Sequence, residues 1–399
     1  ENSKSNELGK RYAFLALRMA LYNHDFKMIN NIYHKKFSIE KQNDIVDVWA
    51  LYFKAISEEN KALSNIYFAK VFEECPEKRF VSWQFFESKI PQKKVLELAK
   101  SKEEKSQVLT LYGVSNPGKN LNNLKQIYGY NSHSEGLSFL LAREINKLED
   151  WIFTPYYTLF DSSISYESDF INDDFESKSV AKVLKRSEFD RNYAAEVLRF
   201  INSVDVTKVE NPEFWKFAKA EILFMNRRFD ESLTEIYQLE NKLSPHAKMR
   251  ENIEQIKALN LIAKQKKGEA EIPQQTKNII LKYRNNKRFI FALGRELEYL
   301  GNTDDAALLY ASLDRPRSEN DYYENNFVYY KSKKNSKQTY DDYFYDAFNY
   351  IDAVYTPEQL SSFIENAKKL DDNKDDFSRY FSLKEYSLQA LLDLFAAKY

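Results

Sequence analysis

No glycine occurs between Gly136 and Gly268, and the whole 399-residue chain holds eight glycines and nine prolines. That is roughly a third and a half of ordinary usage. Strand-rich folds, turn-rich loops and phosphate-cradling loops all draw on glycine, so the scarcity disfavours a sandwich, a barrel or a dinucleotide fold. What remains is helix. The 30% of charged residues are spread along the chain as mixed Lys and Glu, as on many solvent-facing helical surfaces. The chain is too long for one compact core, which leaves two or three domains or one extended array.

Charge narrows the partners. The 59 Lys and Arg against 60 Asp and Glu give a net charge of −1, so no global field draws the chain to nucleic acid or to an anionic membrane. Aromatic residues are plentiful, with 28 Tyr and 29 Phe; they are expected to fill gaps between helices, with a minority displayed on a recognition surface. The single Cys75 excludes an internal disulfide framework and a cysteine-based zinc site, and reads as a buried thiol at a helix end. No run of apolar residues is long enough for a transmembrane segment.

Internal repeats are the most informative feature of the chain. Between Leu293 and Tyr310, Leu293 and Gly294 lie on one helix, Gly301 and Asn302 mark a turn, and Ala306 and Tyr310 lie one turn apart on a second helix. Residues 214–245 give a second unit: Trp215, Ala218 and Ala220, a turn at 226–231, then Ser232, Ile236 and Leu239, closed by Pro245. Ser232 and Ala306 are 74 residues apart, about two periods of a 34-residue repeat. Small residues at such positions let antiparallel helices approach closely while large neighbours plug the next hairpin.

This pattern resembles the tetratricopeptide repeat, specifically over residues 214–313. The resemblance implies an all-α chain built as an α-solenoid of stacked antiparallel helical hairpins in a right-handed superhelix. Outside that stretch, hairpins are expected at 12–22 with 27–35, and at 45–58 with 60–74, ended by Pro76. An intervening pair is expected at 246–267 and 274–283, and further helices at 340–353 and 356–370, the last capped by Thr356 with Pro357 at its first position.

Two places break the rhythm. Residues 113–136 carry four of the eight glycines, so hairpins there should be short or irregular. Residues 154–177 follow an amphipathic helix at 134–153 and lack helical periodicity. That segment joins acids to rings without Lys or Arg, and its Tyr156, Tyr157, Phe160, Asp161, Tyr166, Asp169, Asp173 and Asp174 are the candidate partner-binding residues; an ordered packing insert is the alternative. It divides the chain into an N-terminal array (1–153), an insert or junction (154–177) and a C-terminal array (178–399).

No catalytic motif occurs in the sequence. There is no P-loop, no glycine-rich nucleotide turn, no H-E-x-x-H and no nucleophile elbow. His24, His34, His133 and His246 sit in separate segments, so no metal site is expected. Acidic doublets such as Asp173-Asp174, Asp304-Asp305, Asp341-Asp342, Asp371-Asp372 and Asp375-Asp376 suit helix starts, where carboxylates meet the positive end of the dipole. The basic clusters at 182–191, 227–228, 264–267 and 331–337 suit solvated loops. The expectation is therefore a non-catalytic scaffold without cofactor or metal, binding a protein or peptide partner and no nucleic acid. An all-α glycan-active enzyme or a glycan-binding protein is the alternative. Asn, Lys, Tyr and Ile usage suggests a bacterial protein, and both ends look cut. A larger cell-envelope assembly, periplasmic or lipid-anchored, is the expected setting, with the cytoplasm as the alternative.

Overall fold

The computed structural model describes residues 2–38, 44–158, 162–164, 180–244, 248–313, 355–369, 376–381, 392–393 and 395–397. Every regular element among them is helical, so the expectation of an all-α chain holds. The chain packs as two compact units: Glu1–Asp150, Ser162–Ser177 and Arg199–Ala218 form unit 1, and Trp151–Asp161, Lys178–Leu198 and Lys219–Tyr399 form unit 2.

Unit 1 opens with α1 (Asn2–Tyr22), α2 (Phe26–Ile32) prolonged by a π-helical turn (Tyr33–Phe37), α3 (Ile45–Ser57) and α4 (Lys61–Glu74). There follow α5 (Arg79–Phe85), α6 (Gln92–Leu98), α7 (Lys102–Ser115), α8 (Leu121–Tyr130) and the first part of α9 (Glu135–Phe153). Short polar residues start these helices. Asp25, Asp44, Asn60 and Ser101 each accept a hydrogen bond from a first-turn amide, at 2.9–3.3 Å, an interaction worth about 1 kcal/mol per cap. Consecutive helices pack as pairs, α1 with α2, α3 with α4 and α7 with α8, while α4 also packs on α7. Between them Leu17, Ile29, Phe37, Leu51, Phe68, Val108 and Leu111 form a buried core, each side chain contributing about 1.5–3 kcal/mol of transfer free energy. The glycine-rich stretch does give a short helix, the ten-residue α8.

Unit 2 takes residues from α10 (Val180–Ser203) and α11 (Pro212–Met225) and contains α12 (Phe229–Glu240), α13 (Arg250–Ala263) and α14 (Gln274–Lys282). It continues through α15 (Lys287–Tyr299), α16 (Thr303–Leu313), α17 (Pro357–Lys369) and α18 (Asp376–Tyr380). Its core gathers Ile262, Ile280, Phe289, Ile290, Leu297, Leu309, Tyr310 and Phe363. At the start of α17 a reciprocal cap forms: Gln359 N donates to Thr356 Oγ1 at 3.3 Å and Thr356 N donates to Gln359 Oε1 at 3.0 Å.

The structure departs from expectation at residues 154–158, which continue α9 as a π-helical turn, Thr154–Thr158. Pro155 has no amide hydrogen to enter the α-helical ladder, and the wider turn accommodates that loss. The expected helix at 340–353 lies outside the described residues.

One turn joins three helix pairs. His24, Arg227 and Gly301 have φ of 56°, 59° and 90°, each just past a helix C-terminus. In each case its amide and the next one donate back to the preceding helix. His24 and Asp25 bond Leu21 and Ala20, Arg227 and Arg228 bond Phe224 and Leu223, and Gly301 and Asn302 bond Glu298 and Leu297, all at 2.8–3.0 Å. This is the Schellman arrangement, and the second helix starts two residues after the αL residue. In unit 2 the register of two pairs then repeats residue for residue. Ala220, Arg227 and Ser232 lie 74 positions before Gly294, Gly301 and Ala306. Ser232 Oγ donates to the Ala220 carbonyl at 2.7 Å. Gly294 is so close to the Tyr310 ring that a Cβ there would lie 2.3 Å from Cε1.

Because Tyr310 is fully buried and its hydroxyl is bonded to Glu298 at 2.9 Å, its ring has nowhere to move. Gly294→Ala is expected to cost about 1–3 kcal/mol through overpacking. Adding Tyr310→Leu should recover part of that loss, both changes being read from urea unfolding midpoints. An unchanged midpoint for Gly294→Ala would show that the contact does not limit the approach of α15 and α16.

Candidate functional site

The structure describes two of the eight candidate partner-binding residues, Tyr156 and Tyr157; Phe160, Asp161, Tyr166, Asp169, Asp173 and Asp174 lie outside the described residues. Both tyrosines sit on the π-helical turn and pack within unit 2. Tyr157 is buried; its hydroxyl donates to Glu296 Oε1 at 2.8 Å, and its carbonyl accepts from Arg295 Nε at 2.7 Å. The Tyr299 hydroxyl donates to the Tyr156 carbonyl. The Tyr156 ring stacks on Tyr299 at 4.6 Å, with the guanidinium groups of Arg191 and Arg227 at 5.1 and 5.4 Å from its centroid.

Burial sets the protonation here. It holds the Tyr157 phenol well above its ordinary range. It also raises the Glu296 carboxyl, against the hydrogen bond from Tyr157 and the charges of Arg191, Arg227 and Arg295. The geometry therefore makes these rings an anchor for the turn: two carbonyls and one hydroxyl are bonded to α15.

A cleft of about 510 Å³ lies elsewhere, within unit 1. Phe72 and Glu73 bring the end of α4 to it, Arg79 the start of α5, and Glu135, Ser138 and Phe139 the start of α9; Glu210 and Phe214 close it. Its walls are built by polar ties. Arg79 covers the end of α4, donating from Nε to the Phe72 carbonyl at 3.0 Å and from Nη2 to the Glu73 carbonyl at 3.4 Å. Arg79 Nη2 also lies 3.6 Å from Glu135 Oε2. Ser138 Oγ accepts from Trp215 Nε1 at 3.0 Å and donates to the Glu210 carbonyl at 2.9 Å. At Gly136 a Cβ would meet Thr110 Oγ1 at 2.2 Å, so α9 approaches α7 across a glycine.

The cleft is acidic and aromatic. Burial, with the neighbouring Glu103 and Glu135 carboxylates, pushes Glu73 up to about 7. Ser134 Oγ donates to Glu73 Oε1 at 3.4 Å, while Oε2 is buried without a hydrogen-bond partner among the described residues. Glu210 is raised by burial and by Glu135. Phe139 is 45% exposed at the rim. Three carboxyl groups and a half-exposed ring around one arginine suit a cation with an apolar stem. No sequence motif announced this site, because its walls come from residues 72–79, 135–142 and 210–214.

The other sequence candidates among the described residues fall into ordinary structural places, while His246, Asp341-Asp342, Asp371-Asp372, Asp375 and the basic cluster at 331–337 lie outside the described residues. Asp304 and Asp305 occupy the first turn of α16. Arg227 pairs with Glu188 at 2.7 Å, Arg228 with Glu231 at 2.5 Å and Lys264 with Asp230 at 2.9 Å. Cys75 is a free, buried thiol. Among the described residues no group of three or more His, Cys, Asp or Glu is placed to hold a metal ion, and no helix is long and apolar enough to cross a membrane.

The raised Glu296 carboxyl carries a pH dependence. A folded-state pKa above the unfolded value contributes stability that is full below the unfolded value and lost as pH rises through the folded one. Glu296→Gln keeps an acceptor for Tyr157 and removes the titration. Its urea midpoint, relative to the parent chain, should therefore move in the variant's favour as pH rises above the ordinary carboxylate range; a difference that stays constant as pH rises would refute the assignment. No family model, curated protein or solved structure matches the chain.

Proposed function

We propose that the chain is a non-catalytic helical-repeat scaffold of the tetratricopeptide type that binds a protein or peptide partner, and that the unit 1 cleft receives a basic side chain of that partner. The observation that carries the reading is the pairing of Phe139, exposed at the rim, with Glu73, Glu135 and Glu210 inside one 510 Å³ cleft. A lysine or arginine suits such walls: its stem covers the ring while its charge meets the carboxylates. The helical-repeat half of the reading is supported by the 74-residue register shared by Ala220, Ser232, Gly294 and Ala306 and by the common turn. Asn, Lys, Tyr and Ile usage supports a bacterial origin for this scaffold.

A second reading draws on the same carboxyl group. With its pKa at about 7, Glu73 would still hold a proton in the neutral range, as the general acid of a glycan-cleaving enzyme must. Release of sugar from oligosaccharides by the chain, abolished in Glu73→Gln, would favour that reading over the scaffold.

Fluorescence anisotropy with a labelled Lys- and Arg-rich peptide and an acidic counterpart tests the first. The basic peptide should bind and the acidic one should not. Binding should tighten as pH rises through about 7, because the ionised carboxylate attracts the cation and the neutral acid does not. Phe139→Ala should weaken binding by about tenfold, and Glu73→Gln should flatten the pH dependence. Equal affinity for both peptides would overturn the assignment of a basic partner.

A further inference from the structure

The unit 1 cleft already receives a cation of the chain's own. Four residues after Phe72 stands Pro76, which has no amide hydrogen to return to the Phe72 carbonyl. Arg79 supplies the missing donor: its Nε reaches that carbonyl at 3.0 Å, and its Nη2 reaches the Glu73 carbonyl at 3.4 Å. The helix dipole favours positive charge at this end of α4. The guanidinium carbon also lies 6.0 Å from the centroid of the Phe72 ring, and Nη2 lies 3.6 Å from Glu135 Oε2. A ring and a carboxylate are the groups that a basic side chain from outside seeks in the same cleft.

The two members of this ion pair are held with different firmness. Arg79 is fixed by two backbone carbonyls. Glu135 is the first residue of α9, where its charge meets the positive end of that helix whatever else it touches, and its side chain is 65% exposed. The 3.6 Å contact is longer than the roughly 2.7–2.9 Å of a charge-assisted hydrogen bond. An exposed pair of this kind shifts an equilibrium by no more than about fivefold. Glu135 is therefore drawn to another cation at small cost.

We propose that Arg79 is a resident competitor in the cleft, engaging Glu135 until a partner's basic side chain takes that carboxylate over. This role rests on the reading of the cleft as a receptor for a basic side chain, and it goes further by naming the residue that limits the affinity. Glu73, Glu135 and Glu210 line the cleft together with Arg79, so the chain itself offsets one of its three carboxyl groups. Binding is then weaker, and more readily reversed, than three carboxylates alone would make it.

Fluorescence anisotropy with the labelled Lys- and Arg-rich peptide, on the whole 399-residue chain, tests this role. Arg79→Gln removes the charge and keeps a donor for the Phe72 carbonyl; it should tighten binding about threefold to fivefold. Arg79→Lys keeps the charge and should stay within about twofold of the parent. Adding Glu135→Gln to Arg79→Gln should remove the gain, because the carboxylate set free is then gone. Lys78→Gln separates this competition from net charge. It takes a positive charge from the adjacent position, whose ammonium lies 4.3 and 4.9 Å from the Trp49 and Tyr52 ring centroids, and should change affinity by less than about twofold. Circular dichroism checks that each variant is folded, and Arg79→Met, which keeps an apolar stem, replaces Arg79→Gln should that chain lose helix. A folded Arg79→Gln chain that binds the peptide no tighter than the parent overturns the role of Arg79 and leaves the basic-partner reading standing, as does an equal gain from Lys78→Gln. A basic peptide that binds neither the parent nor the Arg79→Gln chain overturns that reading, and the competition with it.

Discussion

The approach of two helices across a small side chain is the contact on which the rest of this fold depends. Gly294 lies directly beneath the Tyr310 ring, and the Ser232 hydroxyl reaches the Ala220 carbonyl. Both contacts require backbones closer than two ordinary side chains would allow. Once the pair is that close, large residues such as Phe291, Leu293 and Leu297 are buried in the core of unit 2, the Phe291 ring lying 5.3 Å from that of Tyr310. The αL turn before Asn302, repeated before Asp25 and Arg228, sets the direction of return, because Schellman closure fixes where the second helix starts. Arg227 and His24 hold a conformation that glycine adopts freely and L-residues adopt at a cost of about 1–2 kcal/mol. The packing of the pairs has to cover that cost.

Polar groups inside these pairs are tied rather than excluded. Ser64 bonds the Ala55 carbonyl at 2.7 Å, Asn260 bonds Ser232 Oγ at 3.0 Å, and Lys54 reaches Asn30 at 2.5 Å and Glu58 at 2.6 Å. Apart from the Lys54–Glu58 contact, which closes the end of α3, each joins two helices of one unit and is made where an unsatisfied group would cost more than the bond returns. Such ties fix the register of one helix against another, which apolar contacts alone specify loosely.

The same physical effect, loss of water around a carboxyl group, produces different consequences in the two units. At Glu296 it accompanies a bond from Tyr157 and serves to hold a turn. At Glu73 it occurs at the wall of a cleft, where the group has one oxygen unbonded among the described residues and its pKa lies at about 7. Burial by itself does not separate an anchor from a site. The difference lies in position: Glu296 faces the turn it holds, and Glu73 lines a cleft.

The sequence by itself determined the helical class, the small-residue positions at Ala220, Ser232, Gly294 and Ala306, the turns at His24, Arg227 and Gly301, and the Thr356 cap. All of these follow from interactions within about 20 residues, where backbone preference and periodicity leave a local trace. It also marked Tyr156 and Tyr157 as unusual, but not what they touch: their partners on α15 lie nearly 140 positions away. Only the tertiary structure decided that Tyr157 is buried, that Glu73 and Glu135 share a cleft with Phe139, and that Leu8, Tyr12, Leu15, Met19 and Tyr22 face solvent. The row on α1 was readable as apolar, yet a helix apolar on two faces does not say which one its own chain will cover. Burial is a property of the packed whole, and it alone sets the solvation that distinguishes a core ring from an exposed one.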